Sequence, residues 1–375
     1  MWRELHQFVP TLGDARSRRA AVALAIGATV AQGCAAGAGP APRGAASPRS
    51  AAPLVRTVPA DDCGAPMAAA RASRFELHSS FWLNLHNFLY KEARRRRGIS
   101  DPGLGAKGNL TQDTLPSRAL DDAERRAWTR ALDYYERVAF EHQRFGDSLV
   151  IRVNNRLTEA ADGGDLSDVS LDPALRAALL DAAPVYRAVW WSAHDQRNAT
   201  WASAMHQLLD RHEECLADRA ASVFATAWQP APIRVDATVY ASWFGAYTTL
   251  RPPHVTVSSS AVGSQGVNGL EVLLHEGGHS LLARVDSALA AAAARQGRRL
   301  PQQLSHLLLF YTAGELVREV VPEHVPWADT FGVWRRNATV RAYRTLIERE
   351  WRPYLLGRTG FDQAIDRLVG GLPAG

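Results

Sequence analysis

His275, Glu276 and His279 occur in the order His-Glu-Gly-Gly-His. On a helix this spacing sets two imidazoles one turn apart with a carboxylate between them, a zinc site that carries its own general base. The chemistry it implies is metal-assisted hydrolysis, in which bound water is acidified and Glu276 accepts its proton as the water attacks an amide carbonyl. A catalytic zinc takes three protein ligands and keeps the fourth position for water or substrate. No third histidine follows within fifteen residues, so the remaining ligand is expected from another segment. Glu315 is the candidate, in Tyr311-Thr312-Ala313-Gly314-Glu315-Leu316-Val317-Arg318-Glu319. The competing reading puts Glu315 on the solvated face of its helix, as is usual for an acid among apolar residues. Glu319 falls one turn later on the same side and is a candidate to hydrogen-bond a ligand histidine.

These residues need elements to hold them. Leu270, Val272, Leu273, Leu274, Leu281, Leu282 and Val285 flank the motif and supply enough apolar surface to bury most of a helix. Gly277 and Gly278 each cost a helix interior about 1 kcal/mol relative to alanine, so something is expected to approach that backbone closely. A second helix is bounded by Pro301, suited to a first turn, and Pro322, which ends it. Leu304, Leu307, Leu308, Leu316, Val320 and Val321 give it an apolar face. Residues 233–242 and 254–260 are rich in Val, Thr, Tyr and Ser and read as short strands.

The motif and the downstream glutamate resemble the thermolysin-like zinc metallopeptidases, or gluzincins, over roughly residues 230 to 325. The resemblance implies a zincin-like domain with one zinc held by His275, His279 and Glu315, with Glu276 as the base and Glu319 as the acid behind the ligands. It also implies that an edge strand before the motif helix, here 254–259, pairs with an extended peptide substrate; the alternative is a sheet that merely covers the helix. An oxyanion donor is expected as well. Tyr311 is the first candidate, with Tyr343, Tyr354, His254 and His324 left open. Gly314 stands where the family usually has Asn, and Glu319 where it has Asp.

Residues 1–34 concern address. Arg16, Arg18 and Arg19 precede an apolar run over 20–33 that is too short to span a bilayer but suits a signal peptide. Ala31-Gln32-Gly33-Cys34 resembles a bacterial lipoprotein cleavage box, which would put a lipid on Cys34; ordinary cleavage nearby is the alternative. Residues 35–70, dense in Ala, Gly, Pro and Ser, read as a flexible linker. Export would allow Cys63 and Cys215 to pair.

The remainder reads as a helical lobe over 71–228, with helical patterns at 75–97, 121–160, 172–192 and 198–227, followed by the metallopeptidase domain over 229–375. The expected fold is mainly α with a small β-sheet. Net charge is +5 over the whole chain and +3 without residues 1–34, which hold four Arg, one Glu and one Asp (5 − 4 + 2 = 3). With no basic stripe carrying interleaved aromatics, nucleic acid is not expected as a partner. The expected function is a zinc-dependent metallopeptidase of the cell envelope, periplasmic or lipid-anchored, acting on peptide or protein substrates. Two alternatives stand beside it: an envelope binding or scaffold lipoprotein with a non-catalytic metal site, and a zinc hydrolase of cell-wall amides.

Overall fold

The structure is a computed structural model that describes residues 73–99, 116–139, 148–242 and 245–372. The expected signal peptide, the lipid-bearing Cys34, the linker and Cys63 lie outside these residues.

The chain begins with strand β1 (Phe75–His78) and helix α1 (Phe81–Arg96). Helices α2 (Asp122–Tyr134), α3 (Ser148–Glu159), α4 (Pro173–Tyr186) and the long α5 (Ser192–Val223) follow. Strands β2 (Ile233–Thr238), β3 (Ala246–Leu250) and β4 (Pro253–Ser258) lead into α6 (Gly266–Gly278), α7 (Leu282–Arg295) and α8 (Leu304–Val320). The short α9 (Trp327–Thr330), then α10 (Ala338–Glu350), α11 (Arg352–Leu355) and α12 (Phe361–Gly370), complete a mainly helical protein with one small sheet. Local chemistry fixes several starts. Asp121 and Glu124 form a reciprocal capping box on α2, Asp172 caps α4 ahead of Pro173, and the Asn337 side chain caps α10.

The sheet runs β1-β2-β4-β3, with β1, β2 and β4 parallel and β3 antiparallel at one edge. Because side chains alternate along a strand, its two faces differ. Val235, Ala237, Val255 and Val257 enter a large core shared with α5, α6, α8, α10 and α12. Asp236, His254, Thr256 and Ser258 point the other way and are also buried. There Asn84 of α1 donates to Ala237 O at 3.1 Å, and His254 Nε2 meets Asp236 Oδ2 at 2.9 Å. A smaller, aromatic core joins α1, α2 and α4, with Trp128 and Trp190 stacked at 4.7 Å.

Several expectations change. Residues 75–97 are not one helix: Phe75 and Leu77 alternate into β1, and helical spacing starts only at Phe81. Within 121–160 the described residues are helical as expected, α2 passing into a π-helical turn at Tyr135–Ala139 and α3 covering Ser148–Glu159, while residues 140–147 lie outside the described residues. Strand β3 was not expected, since its Ala-Tyr-Thr-Thr-Leu is short and carries little aliphatic signal. The large core runs across residue 228, with β1 and α5 before it packed together with α6 and α8 after it. No helix among the described residues is long and apolar enough to cross a membrane.

Candidate metal centre

The motif occupies the last turn of α6. His275 and Glu276 lie within the helix, and His279 opens the short 3-10 turn His279–Leu281 that joins it to α7. The third member is His306, in the first turn of α8. The nitrogens of His275, His279 and His306 all fall within 4.8 Å of one another. The ring centroids are nearly equidistant, at 5.0, 5.1 and 5.1 Å. His275 Nε2 and His306 Nε2 approach to 3.1 Å. Two nitrogens bound to a tetrahedral zinc at about 2.0–2.1 Å would be about 3.3 Å apart, so this pair already has ligand spacing.

The electrostatics agree with a cation site. Burial pushes His279 down to about 4. It holds His275 and His306 well below the usual imidazole range, with neighbouring positive charge adding to the effect. All three imidazoles are therefore neutral at neutral pH, the form that binds a metal. Three neutral imidazoles converging from two helices, two of them nearly buried, fit zinc's preference for nitrogen donors. His275 Nδ1 is buried without a hydrogen-bond partner among the described residues, so no acceptor there holds that ring from behind.

Glu276 lies beside the cluster, its Oε2 3.9 Å from His279 Nε2. Burial raises its carboxyl to about 7, against the opposing pull of a hydrogen bond from Thr248. Thr248 Oγ1, on β3, stands 2.6 Å from Glu276 Oε2 and 3.0 Å from the main-chain oxygen of the same residue. A carboxylate with a raised proton affinity next to three imidazoles that could hold a metal ion has the properties a general base needs.

The glycines explain how two helices bring these groups together. A Cβ on Gly277 would stand 2.9 Å from the Trp228 ring and 3.1 Å from Phe75, and one on Gly278 would stand 2.7 Å from Leu309 Cδ1. Gly278 thus lets α8 lie close against α6, which carries His306 to the motif. Phe310, one turn after His306, covers the other side, its ring 4.1 Å from that of His275 and 4.7 Å from that of His306. Phe310 also lines a cavity of about 340 Å³ together with Tyr311, Glu315, Trp334 and Arg344.

Glu315 is not brought to the histidines. It lies nine residues after His306 on the same helix, which is two and a half turns and about 13.5 Å along the axis, on the opposite face. Its carboxylate meets Arg318 at 2.9 Å and Arg352 at 3.7 Å. Glu319 is not behind a ligand either: it accepts two hydrogen bonds from Arg219 of α5, at 2.9 and 2.8 Å. Tyr311 packs against Trp334 at the cavity. Two other oxyanion candidates are engaged elsewhere, His254 with Asp236 and His324 with Glu271 at 2.5 Å. Tyr354 donates to Val223 O at 2.9 Å, and Tyr343 is buried in the large core. The expected substrate strand also changes, because β4 is interior and β3 is the edge beside Glu276.

His306 is what sequence reasoning missed. Its signal was a histidine at the start of the apolar run Leu304–Tyr311, one turn from Phe310 and so on the same helix face. No protein-family model matches the chain, and no curated protein or solved structure matches it.

Proposed function

We propose that this protein is a zinc-dependent hydrolase of peptide bonds, with His275, His279 and His306 as the metal ligands and Glu276 as the general base. The observation that carries this reading is the near-equilateral group of three imidazoles with the Glu276 carboxylate at its edge. Zinc bound there would supply an acidified water and share the negative charge that develops on the attacked carbonyl oxygen. Glu276 would accept a proton from the attacking water and return it to the leaving amine. The three histidines remain neutral and keep the site's geometry. Strand β3 is an edge strand of the sheet and stands beside Glu276, where an extended peptide can pair with it.

A mixed sheet with an antiparallel edge strand, followed by the motif helix and a second helix that adds a ligand, supports a zincin-like reading. The third ligand departs from the gluzincin pattern in being histidine. An exported, envelope location is part of the proposal. It is supported by the signal-like segment 1–34 and by Cys215, which is disulfide-bonded, as an oxidising compartment permits.

The test is zinc content per chain together with cleavage of a mixed peptide library and of cell-wall fragments, for wild type and Glu276→Gln. One zinc in both proteins, with peptide cleavage only in the wild type, is the expected result. Bound zinc without turnover of either substrate would leave a binding or scaffold role. Cleavage confined to cell-wall fragments would move the substrate class to cell-wall amides.

A further inference from the structure

Thr248 lies at the middle of edge strand β3, paired with Val255 of β4. Tyr247 and Thr249 point to the opposite face, where they meet Asn154 and Asn155 of α3 at 2.8 and 3.1 Å. Alternation then directs Thr248 at α6. Its hydroxyl touches both the carboxylate and the main-chain oxygen of Glu276. Contact with both ends of one residue restrains the torsions between them, so a long and otherwise mobile side chain is tied to its own helix. Among the described residues, Thr248 is the one group that hydrogen-bonds this carboxylate.

A buried carboxylate 3.9 Å from a ligand nitrogen has two uses open to it. Held slightly back, it can accept a proton from water. Released, it is drawn by a divalent cation and becomes a ligand, filling the position that water needs. We propose that Thr248 is the positioning residue that keeps Glu276 a base and not a fourth metal ligand. The strand that offers its edge to a peptide therefore also aims the group that deprotonates the water. This rests on the reading of Glu276 as the base, and it adds a residue from a different element.

The experiment uses the full chain loaded with Co²⁺, whose visible absorption reports the donor set, beside peptide kinetics on the zinc form. Thr248→Val keeps the β-branched shape and removes the hydroxyl; Thr248→Ala removes it without that shape, and Thr248→Ser restores it. The cobalt spectrum should shift in the Val and Ala variants, match wild type in the Ser variant, and lose its shift when Thr248→Val is combined with Glu276→Gln. The kcat of Thr248→Val should fall by about tenfold or more, the ratio expected for losing a hydrogen bond to a charged group. KM should change less than about twofold, because the hydroxyl touches Glu276 and makes no contact of its own with the substrate. A Thr248→Val protein that loads metal and matches wild type in both spectrum and kcat overturns the inference while leaving the metal site intact. A wild type that takes up neither cobalt nor zinc overturns the metal-site reading itself, and this inference with it.

Discussion

The two ends of helix α8 carry acids and bases of similar chemical promise, yet they do different things. At the N-terminal end His306 faces α6, its Nε2 3.1 Å from that of His275. At the C-terminal end Glu315 and Glu319 are each engaged by arginines, from α8 itself, α11 and α5. The difference is rotation as much as distance: half a turn of helical phase separates a residue that meets the motif from one that meets an ion-pair network. An acid in an apolar helix is thus a poor guide to ligation when arginine stands three residues away, as Arg318 does from Glu315.

The strongest way to break this contrast is to exchange the roles. His306→Ala should weaken zinc binding by at least about a hundredfold, one ligand's share of a site worth on the order of 10 kcal/mol. Glu315→Ala should leave zinc stoichiometry unchanged. Equilibrium titration against a chelator reads both, and a metal-free Glu315→Ala protein would return that glutamate to the ligand set.

A smaller effect should appear in the metal-free protein as pH falls. His279 titrates at about 4 in the fold because burial disfavours its charge, against 6.5 for the unperturbed group. The unfolded chain therefore binds more protons in this window, and stability is lost as pH drops from about 6.5 towards 4. Denaturant unfolding at a series of pH values should show that decline, with His279→Ala reducing its slope. An unchanged slope would mean that the imidazoles are not held neutral.

Next in size is the joint between the helices. Gly278→Ala forces Leu309 aside, a clash of the overpacking kind that costs about 1–3 kcal/mol. It should lower the thermal midpoint and, by pushing α8 away, weaken zinc binding. Lost stability with undiminished zinc affinity would show that α8 reaches the motif by another contact. The smallest effect belongs to the far end: Glu319→Gln should cost about 1 kcal/mol of stability by weakening its partly buried pair with Arg219, with zinc affinity unaltered.

How much of this was legible in the sequence depends on how locally each feature is encoded. His275, Glu276 and His279 fall within five residues, so helical periodicity alone fixes their relation. Gly277 and Gly278 were legible as close-approach points, although their partners Trp228 and Leu309 were not. His306 follows His279 by 27 residues (306 − 279), and their meeting depends on how α7 and the segment after it fold back, which no local pattern states. Strands β2 and β4 showed their valines, whereas β1 was hidden in what looked like the start of a helix. Strand β3 takes its place from pairing with β4, and Thr248 went unnoticed with it.

In general descriptions of the motif, the two positions between glutamate and the second histidine are free. Here they are not, since one faces an indole and the other a leucine of the neighbouring helix. The five residues therefore cannot be transplanted as a cassette. A host helix would also need a flat-sided gap on each flank, and an engineer who copied only the histidines and the glutamate would obtain the letters of the site without the joint that closes it.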